Sequence, residues 1–371
     1  MKKVAVLGAG LVGRTIAVEL SADYQVLAVD SNTSRLKYLK DKKIKTIKTD
    51  LSTDTEIKKV IKDFDLVICA LPGFMGFKAL KSIINAGKNV VDISFFPEDQ
   101  FLLDKLAKQK KVTAVVDCGV APGLANIILG YHNRDMNISN YKCLVGGLPF
   151  KKEWPFAYKA YFSPIDVIEE YTRPARIVVG GKIIEKPALS DPEIINYKAV
   201  GELEAFNTDG LRSLLRTMKI PNMIEKTMRY PGHIDLMKIF REVGLFDQSE
   251  TEVKGISIKP IDLTAKLMFP FWLPEKGEKD FTILDLMIEG TKDGKKSSHH
   301  YFIFDEYDTL EDNSSMARTT GFTCCATARY FLENGFERKG ICPPEYLGED
   351  EKFYDYILSY LNQKKINIVH D

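Results

Sequence analysis

The chain has 371 residues, of which 45% are apolar and 28% charged, a composition typical of a folded globular protein. This length predicts two domains, each large enough to bury its own core. The 52 basic and 51 acidic residues leave a formal net charge of +1, which argues against a general nucleic-acid binder or a polybasic membrane surface. No apolar run approaches the roughly 18 residues that a membrane-spanning helix needs.

The N-terminus and the cysteines both indicate a cytoplasmic protein. Glycines interrupt the apolar stretch after Met-Lys-Lys and no small-residue cleavage site follows, so we expect a mature N-terminus. The six cysteines are scattered without a C-x-x-C pair, which predicts reduced, buried thiols rather than a disulfide framework. We also expect no metal site, because His299 and His300 lie in a polar stretch typical of a solvated strand end.

Residues 1–117 alternate between short apolar runs and amphipathic segments. The predicted strands are Val4–Leu7, Gln25–Val29, Lys43–Ile47, Asp65–Ala70, Val90–Ile93 and Val112–Val116. The predicted helices between them are Leu11–Leu20, Ser34–Lys40, Asp54–Lys62, Phe77–Ala86 and Gln100–Lys108. Continuous apolar strands separated by helices are typical of a parallel sheet covered on both faces. We therefore predict a doubly wound α/β domain of the Rossmann type.

From Asn140 the pattern changes to longer segments with hairpin signals. The pairs Gly180-Gly181 and Asp293-Gly294 are typical of tight turns between antiparallel strands. The strands predicted to flank these turns are Arg176–Val179, Lys182–Ile184, Phe281–Glu289 and Tyr301–Phe304. A helical period returns over Met316–Leu332, and a last helix is predicted over Phe353–Leu361. We expect an α+β domain inserted after the parallel sheet.

The segment Gly8-Ala9-Gly10-Leu11-Val12-Gly13 matches the pattern G-x-G-x-x-G at a predicted strand-to-helix turn. Asp30 closes the next strand, 20 residues after Gly10, a spacing at which a carboxylate accepts a hydrogen bond from a ribose hydroxyl. A turn without a ligand is the alternative. Because glycines admit a close diphosphate at the helix N-terminus, we predict a dinucleotide site. Asp30 would repel a 2′-phosphate and so favours NAD, while Arg35 leaves NADP open.

Further cofactor contacts are expected where the predicted parallel strands end, because ligands of doubly wound sheets lie there. Pro122 suits the first turn of a following helix, whose amides would face the cofactor. The alternative is that the Pro and Gly residues only turn the chain. The expected contacts are Ser31, Asp50, Leu51, Ala70, Leu71, Pro72, Asp92, Ser94, Val120, Ala121 and Pro122.

Two polar clusters in the second half suit an amino-acid substrate. Glu202–Gly210 (ELEAFNTDG) contains three carboxylates within eight residues, although a solvated acidic loop is the alternative. The run Arg229-Tyr230-Pro231-Gly232-His233 combines a guanidinium suited to a carboxylate with an imidazole that titrates near neutrality. Together the two clusters suit a small molecule with ammonium and carboxylate ends.

These features together resemble the saccharopine reductase family. The dinucleotide fold is accompanied by four motifs of that family, at Ala121–Leu124, Gly146–Pro149, Lys226–Tyr230 and Ser314–Ala317. The resemblance covers nearly the whole chain and is closest to the lysine 6-dehydrogenase branch, which the motifs Asp117–Asn126 and Gly201–Gly210 resemble. It implies a dinucleotide domain over residues 1–124, completed by about 315–371. It also implies a substrate-binding domain over 125–314 that forms a homodimer through its sheet.

Two departures from that family's pattern imply a smaller substrate. Relatives carry D-P-G where this chain has Ala121-Pro122-Gly123, and N-R-D where it has Asn207-Thr208-Asp209. Saccharopine has three carboxylates, so the loss of an arginine at Thr208 removes a partner for one of them. The NADP users of the family also tend to carry arginine where Asp30 stands. The resemblance therefore implies lysine as the substrate and NAD as the cofactor.

The implied reaction is oxidative deamination of L-lysine at the ε-carbon. It gives ammonia and allysine, which cyclises to piperideine-6-carboxylate. The expected substrate contacts are Arg229 for the carboxylate, Glu204 and Asp209 for an ammonium, and Asn207, Thr208 and Tyr158 along the chain. His233 or Lys159 is the expected acid–base group, unless Lys159 is a surface charge and His233 caps a helix that begins at Ile234. Deprotonating lysine at pH 7 costs roughly 4–5 kcal/mol, so we expect an alkaline optimum.

Two alternatives stay open. The nearer one is another dehydrogenase of the same family, acting on saccharopine or on a carboxylated polyamine of the carboxynorspermidine type. The other is a protein that binds NAD and senses its redox state without catalysing a reaction. The large second domain, rich in arginine and acidic residues, argues against the sensor.

Overall fold

The computed structural model describes residues 1–335 and 337–371. These residues form two compact units, one of 1–137 with 316–368 and the other of 138–315 with 369–371. Residues 125–137 therefore belong to the first unit, whereas the sequence-based boundaries assigned them to the second. Their helix packs on the C-terminal segment of the chain, which a boundary drawn from motifs could not show.

The first 132 residues supply most of the first unit. Its strands are β1 (Lys3–Leu7), β2 (Gln25–Asp30), β3 (Lys45–Lys48), β4 (Leu66–Cys69), β5 (Asn89–Asp92) and β6 (Thr113–Val115). Its helices are α1 (Leu11–Leu20), α2 (Thr33–Asp41), α3 (Asp54–Ile61), α4 (Gly73–Asn85), α5 (Asp104–Lys110) and α6 (Leu124–His132). The central strands are buried along their length, as a sheet covered on both faces requires.

The middle of the chain forms the second unit. Its strands are β7 (Asn137–Pro149), β8 (Ala175–Val179), β9 (Lys182–Lys186), β10 (Glu193–Tyr197), β11 (Gly201–Asn207), β12 (Asn222–Arg229), β13 (Thr251–Val253), β14 (Ile256–Ile258), β15 (Asp280–Lys292) and β16 (Lys295–Glu306). Its helices are α7 (Pro164–Thr172), α8 (Leu214–Thr217), α9 (His233–Glu242) and α10 (Pro260–Trp272). Both predicted hairpins are confirmed, as β8–β9 and β15–β16.

Most of the C-terminal segment returns to the first unit. Its elements there are α11 (Ser315–Asn334), β17 (Gly340–Cys342), α12 (Pro344–Gly348) and α13 (Glu351–Gln363). The last strand, β18 (Ile368–His370), belongs to the sheet of the second unit. Helices α6 and α12 meet backbone to backbone, because a Cβ at Gly130 would lie 2.0 Å from the Glu345 oxygen. A Cβ at Gly348 would likewise lie 2.0 Å from the Ile127 oxygen. These two glycines allow the C-terminal segment to pack on α6.

The strand orders confirm the predicted fold class. The first unit has a seven-stranded sheet in the order β17-β6-β5-β4-β1-β2-β3. Its paired strands are parallel, and the order reverses beside β1, as in doubly wound dinucleotide folds. The second unit has a larger mixed sheet in the order β10-β11-β12-β7-β15-β16-β18, with β8 paired to β12 and β9.

Candidate functional site

The turn between β1 and α1 requires two of its glycines for steric reasons. Gly8 has a φ of +100°, and a Cβ there would lie 2.3 Å from the backbone oxygen of Ala70. A Cβ at Gly13 would lie 2.2 Å from the oxygen of Gly8. Both positions therefore exclude any side chain, and they hold α1 close to the ends of β1 and β4.

Gly10 differs, because a Cβ placed there would meet no described atom within 4 Å. It is the N-cap of α1 and makes no side-chain capping hydrogen bond. The amides of the first helical turn, from Leu11 onwards, therefore carry the positive end of the helix dipole without a cap from that residue. Open space beside uncapped amides fits the diphosphate of a dinucleotide.

Asp30 closes β2 beside this turn, and its side chain is buried. The backbone N–H of Ala9 donates to its Oδ2 and that of Asn32 to its Oδ1, each at 2.7 Å. The guanidinium of Arg35, whose side chain is 55% exposed, lies 3.6 Å from Oδ2. A carboxylate oxygen accepts more than one hydrogen bond, so Asp30 retains capacity for a ribose hydroxyl.

The other predicted cofactor contacts follow the carboxyl ends of parallel strands. Ser31 follows β2; Asp50 and Leu51 follow β3; Ala70, Leu71 and Pro72 follow β4; Asp92 and Ser94 stand at the end of β5; Val120, Ala121 and Pro122 follow β6. The topology thus brings these segments to one edge of the sheet. The expected helix start at Pro122 is wrong, because α6 begins at Leu124 with Gly123 as its N-cap.

Asp92 is a buried carboxyl group at this edge. Its Oδ1 accepts a 2.5 Å hydrogen bond from the N–H of Ser94. Burial raises the pKa of Asp92 to about 7, and the charge of Asp117 adds to that rise. Asp92 is therefore a carboxyl group that titrates near neutrality.

In the second unit, strand register separates the predicted substrate residues onto two faces. In the antiparallel pair β11–β12, Glu204 is opposite Arg229 and Asn207 is opposite Lys226. Because strand side chains alternate, the first pair and the second pair project from opposite faces of the sheet. The ELEAFNTDG motif is thus a strand followed by a turn, and the alternative of a solvated loop is wrong.

Asn207 belongs to the face away from Arg229. Its side-chain amide donates to Ser190 Oγ at 3.0 Å and to Asp191 Oδ2 at 2.9 Å. The ammonium of Lys226 donates to the backbone oxygen of Asp191 at 2.7 Å. These contacts hold the turn before β10, so Asn207 and Arg229 do not line one surface of the sheet.

Arg229 is buried and bound by protein groups. Its Nη2 donates to Glu170 Oε2 at 2.6 Å and to the Tyr158 hydroxyl at 3.4 Å. Its Nε donates to the Tyr171 hydroxyl at 3.0 Å, and the guanidinium lies 4.4 Å from the centre of the Tyr158 ring. The predicted contact with a substrate carboxylate would require Arg229 to share these hydrogen bonds with the substrate.

His233 is also buried and hydrogen-bonded through both ring nitrogens. Nδ1 is 2.8 Å from the backbone oxygen of Phe156, and a carbonyl only accepts, so Nδ1 carries the proton. Nε2 therefore accepts from the Tyr171 hydroxyl at 2.9 Å. Burial and the nearby Arg229 charge lower the pKa of His233 to about 3. The ring is therefore neutral at physiological pH. His233 is also the first residue of α9, so that helix begins one position earlier than expected.

The remaining charged residues of the predicted site contact protein groups. Arg176 binds both carboxylate oxygens of Asp209 at 2.8 Å. The ammonium of Lys159 lies 3.4 Å from a carboxylate oxygen of Glu153 and is buried, so its interpretation as a surface charge is wrong. Glu204, which is half-buried, accepts from the N–H of Gly232 at 3.3 Å.

The sequence did not identify Glu225, whose carboxylate binds the Thr208 hydroxyl. The Thr208 hydroxyl donates to Glu225 Oε2 at 2.6 Å, and the N–H of Gly210 donates to the same oxygen at 3.1 Å. Burial raises the pKa of Glu225 to about 8, and the charges of Glu170 and Asp209 add to the rise. The signal was present in the sequence as polar residues at alternate positions of β12, from Glu225 to Arg229.

A parallel seven-stranded sheet, an open glycine turn and an acidic residue ending β2 define a dinucleotide-binding protein of the Rossmann class. Residues 4–115 match the model of the saccharopine dehydrogenase NADP binding domain. Residues 119–366 match that of the saccharopine dehydrogenase C-terminal domain. The chain belongs to the saccharopine dehydrogenase family, as its motifs predicted.

Curated relatives share about a quarter of the aligned residues. Mitochondrial alpha-aminoadipic semialdehyde synthase of Mus musculus is 24% identical over 266 residues, which cover 67% of this chain and 29% of that enzyme. The NADP(+), L-glutamate-forming saccharopine dehydrogenase of Schizosaccharomyces pombe is 21% identical over 375 residues, covering 81% of this chain and 83% of that enzyme. The aligned region is thus a minor part of the mouse protein and most of the fungal one.

A solved structure supports the same fold. Apo saccharopine dehydrogenase (L-Glu forming) from Saccharomyces cerevisiae superposes with a TM-score of 0.78 at 18% identity, covering 100% of this chain and 99% of that one. No helix within the described residues has the length and apolar character needed to cross a bilayer.

Proposed function

We propose that this chain is a nicotinamide-dependent amine dehydrogenase that oxidises L-lysine at its ε-carbon. The balanced reaction converts the lysine ε-ammonium, the oxidised cofactor and water into allysine, ammonium, the reduced cofactor and one proton. A nicotinamide dinucleotide held at the glycine turn would supply the acceptor for the hydride that leaves the ε-carbon. Water then replaces the nitrogen, and the aldehyde cyclises with the α-amino group.

The pairing of two arginines with protein carboxylates supports this proposal. Arg229 is paired with Glu170 at 2.6 Å, and Arg176 with both oxygens of Asp209 at 2.8 Å. A tricarboxylate such as saccharopine needs several cationic groups, and guanidinium groups are the common partners of carboxylates. Because these two arginines already bind protein carboxylates, they are poorly placed to neutralise several substrate carboxylates, which favours a substrate with a single carboxylate.

The chain's own residues have distinct proposed roles. The amides after Gly10 bind the cofactor diphosphate, and Asp30 accepts from a ribose hydroxyl. His233 is neutral and orients the Tyr171 hydroxyl, so we propose it as a positioning residue rather than the acid–base group. Lys159 stays the proposed acid–base group, because its ammonium is buried next to the carboxylate of Glu153.

We propose NAD as the preferred cofactor because the buried Asp30 carboxylate would repel a 2′-phosphate. The family model and the fungal relatives carry NADP in their names, which favours the other cofactor.

The Asp30→Asn variant tests whether Asp30 makes the chain select NAD over NADP. We expect its ratio of kcat/KM with NAD to kcat/KM with NADP to fall by about tenfold, since the repulsive charge is removed. An unchanged ratio would show that Asp30 does not select the cofactor.

The test of the reaction is an assay of cofactor reduction with the full chain. L-lysine and saccharopine are each supplied with NAD and with NADP, from neutral to alkaline pH. We expect lysine with NAD to give the highest kcat/KM and to release ammonium in a one-to-one ratio with reduced cofactor. A higher kcat/KM with saccharopine would refute the proposal and support saccharopine dehydrogenation, the activity in the names of the fungal relatives.

A further inference from the structure

Glu225 occupies a position that the fold builds around a carboxylate. It lies on β12, on the same face as Thr227 and Arg229, and is only 5% exposed. A Cβ at Gly210 would lie 2.2 Å from Glu225 Oε2, so a side chain at that position would displace the carboxylate from its present place. The N–H of Gly210 and the Thr208 hydroxyl both donate hydrogen bonds to Oε2, and neither of them donates to Oε1.

The charged groups around Glu225 are mainly acidic. Glu170 on α7 and Asp209 in the turn after β11 act on it electrostatically, and Cys143 on β7 is its cross-strand neighbour. Two arginines on this sheet are paired with other carboxylates, since Arg176 on β8 binds Asp209 and Arg229 on β12 binds Glu170. A buried carboxylate in such surroundings is stabilised by a cationic ligand or else takes up a proton.

We infer that Glu225 is an ammonium-binding residue of the substrate site, which accepts a substrate ammonium through Oε1. The neutral Thr208 hydroxyl contacts this carboxylate through Oε2. A buried negative charge at this position favours a substrate with an additional ammonium over one with an additional carboxylate. The inference rests on the proposed function, because it specifies the substrate charge that this site recognises.

Ammonium binding by Glu225 depends on pH. The pKa of about 8 means that much of Glu225 is protonated, and hence uncharged, at pH 7 in the absence of substrate. Only the carboxylate form attracts an ammonium. The affinity for a cationic substrate should therefore rise as the pH passes through about 8, and a protein without this carboxylate should lose that rise.

The experiment compares Glu225→Gln with the wild-type chain and with Glu202→Gln. Glu202 is the control, because it is an acid on the same face of the neighbouring strand but is exposed to solvent. We expect Glu225→Gln to raise the KM for lysine about tenfold at alkaline pH, with a smaller effect on kcat. The KM for lysine should fall as the pH rises through 8 in the wild-type chain and in Glu202→Gln, and this fall should be absent from Glu225→Gln.

Calorimetric titration of the full chain with L-lysine separates this inference from the proposed reaction. Lysine binding that Glu225→Gln weakens about tenfold supports the inference, even if no cofactor is reduced. Oxidation of lysine by a folded Glu225→Gln chain, with wild-type KM and wild-type pH dependence, overturns the inference and leaves the reaction standing. Failure of lysine to bind the wild-type chain overturns both.

Discussion

The buried pair of Arg229 and Glu170 shows how single residues stabilise the second unit. The Glu170 side chain is 15% exposed and that of Arg229 only 2%, so their charges interact with little screening by water. The hydroxyls of Tyr158 and Tyr171 also accept hydrogen bonds from the guanidinium. Breaking such a pair leaves a buried charge without its counter-charge, which is far more costly than never forming the pair.

Removing the charge of Glu170 should therefore destabilise the fold. We expect Glu170→Gln to lower the free energy of unfolding by about 3 kcal/mol, measured by urea denaturation. Glu204→Gln is the matched control, because Glu204 is opposite Arg229 in the strand register and yet contacts the N–H of Gly232. The control should cost less than about 1 kcal/mol. Equal losses in the two variants would contradict the assignment of Glu170 as the partner of Arg229.

The sequence identified Arg229 and His233 as polar residues of interest, but it could not identify what they bind. Tyr171 is 58 residues from Arg229 in the chain, and Glu170 is 59 residues away. Both lie on α7, whose packing against β12 is a tertiary contact with no local pattern. Without those partners, His233 was assigned an acid–base role, whereas its ring is neutral and hydrogen-bonded on both sides.

Among the elements, the turn between β1 and α1 is the one that sequence described best. Its glycine pattern is local, and the atoms that exclude a side chain at Gly8 and Gly13 lie within the strand-turn-helix unit or directly after the adjacent β4. The seventh strand, β17, was not predicted, because Gly340–Cys342 is too short to show a periodicity. It joins the sheet beside β6, where Gly340 pairs with Thr113, a residue more than two hundred positions earlier in the chain.

Two glycines of this turn give opposite predictions. A Cβ at Gly10 enters open space, so Gly10→Ala should change the free energy of unfolding by less than about 1 kcal/mol. It should nevertheless weaken cofactor binding at least about tenfold, since the methyl group would occupy the space assigned to the diphosphate. Gly13→Ala should instead destabilise the fold by about 2 kcal/mol, because its Cβ would meet the Gly8 oxygen. Calorimetry and urea denaturation measure the two effects, and unimpaired cofactor binding by Gly10→Ala would place the diphosphate elsewhere.

At the scale of the whole molecule, buried carboxyl groups should make stability depend on pH. The folded-state pKa of Glu225 is about 8 and that of Asp92 about 7, both above the unfolded values of roughly 4. Such groups bind more protons in the folded state, so they stabilise the fold at low pH and that contribution is lost as the pH rises through 7 and 8. His233 acts in the opposite direction, but only below its unfolded pKa of about 6.5.

We therefore expect the urea midpoint to fall when the pH is raised from about 7.5 to 9, a range in which His233 is almost entirely neutral in both states. The Glu225→Gln chain should lose less stability over the same range, because it has no carboxylate to bury at that position. An equal loss in the two proteins would show that Glu225 is not protonated in the fold at neutral pH.

The account as a whole depends on the first unit binding a nicotinamide dinucleotide at the glycine turn. The most direct test is a calorimetric titration of the full chain with NAD and with NADP. We predict one site per chain, with NAD bound more tightly than NADP and binding weakened in Gly10→Ala. A full chain that binds neither dinucleotide would contradict the account.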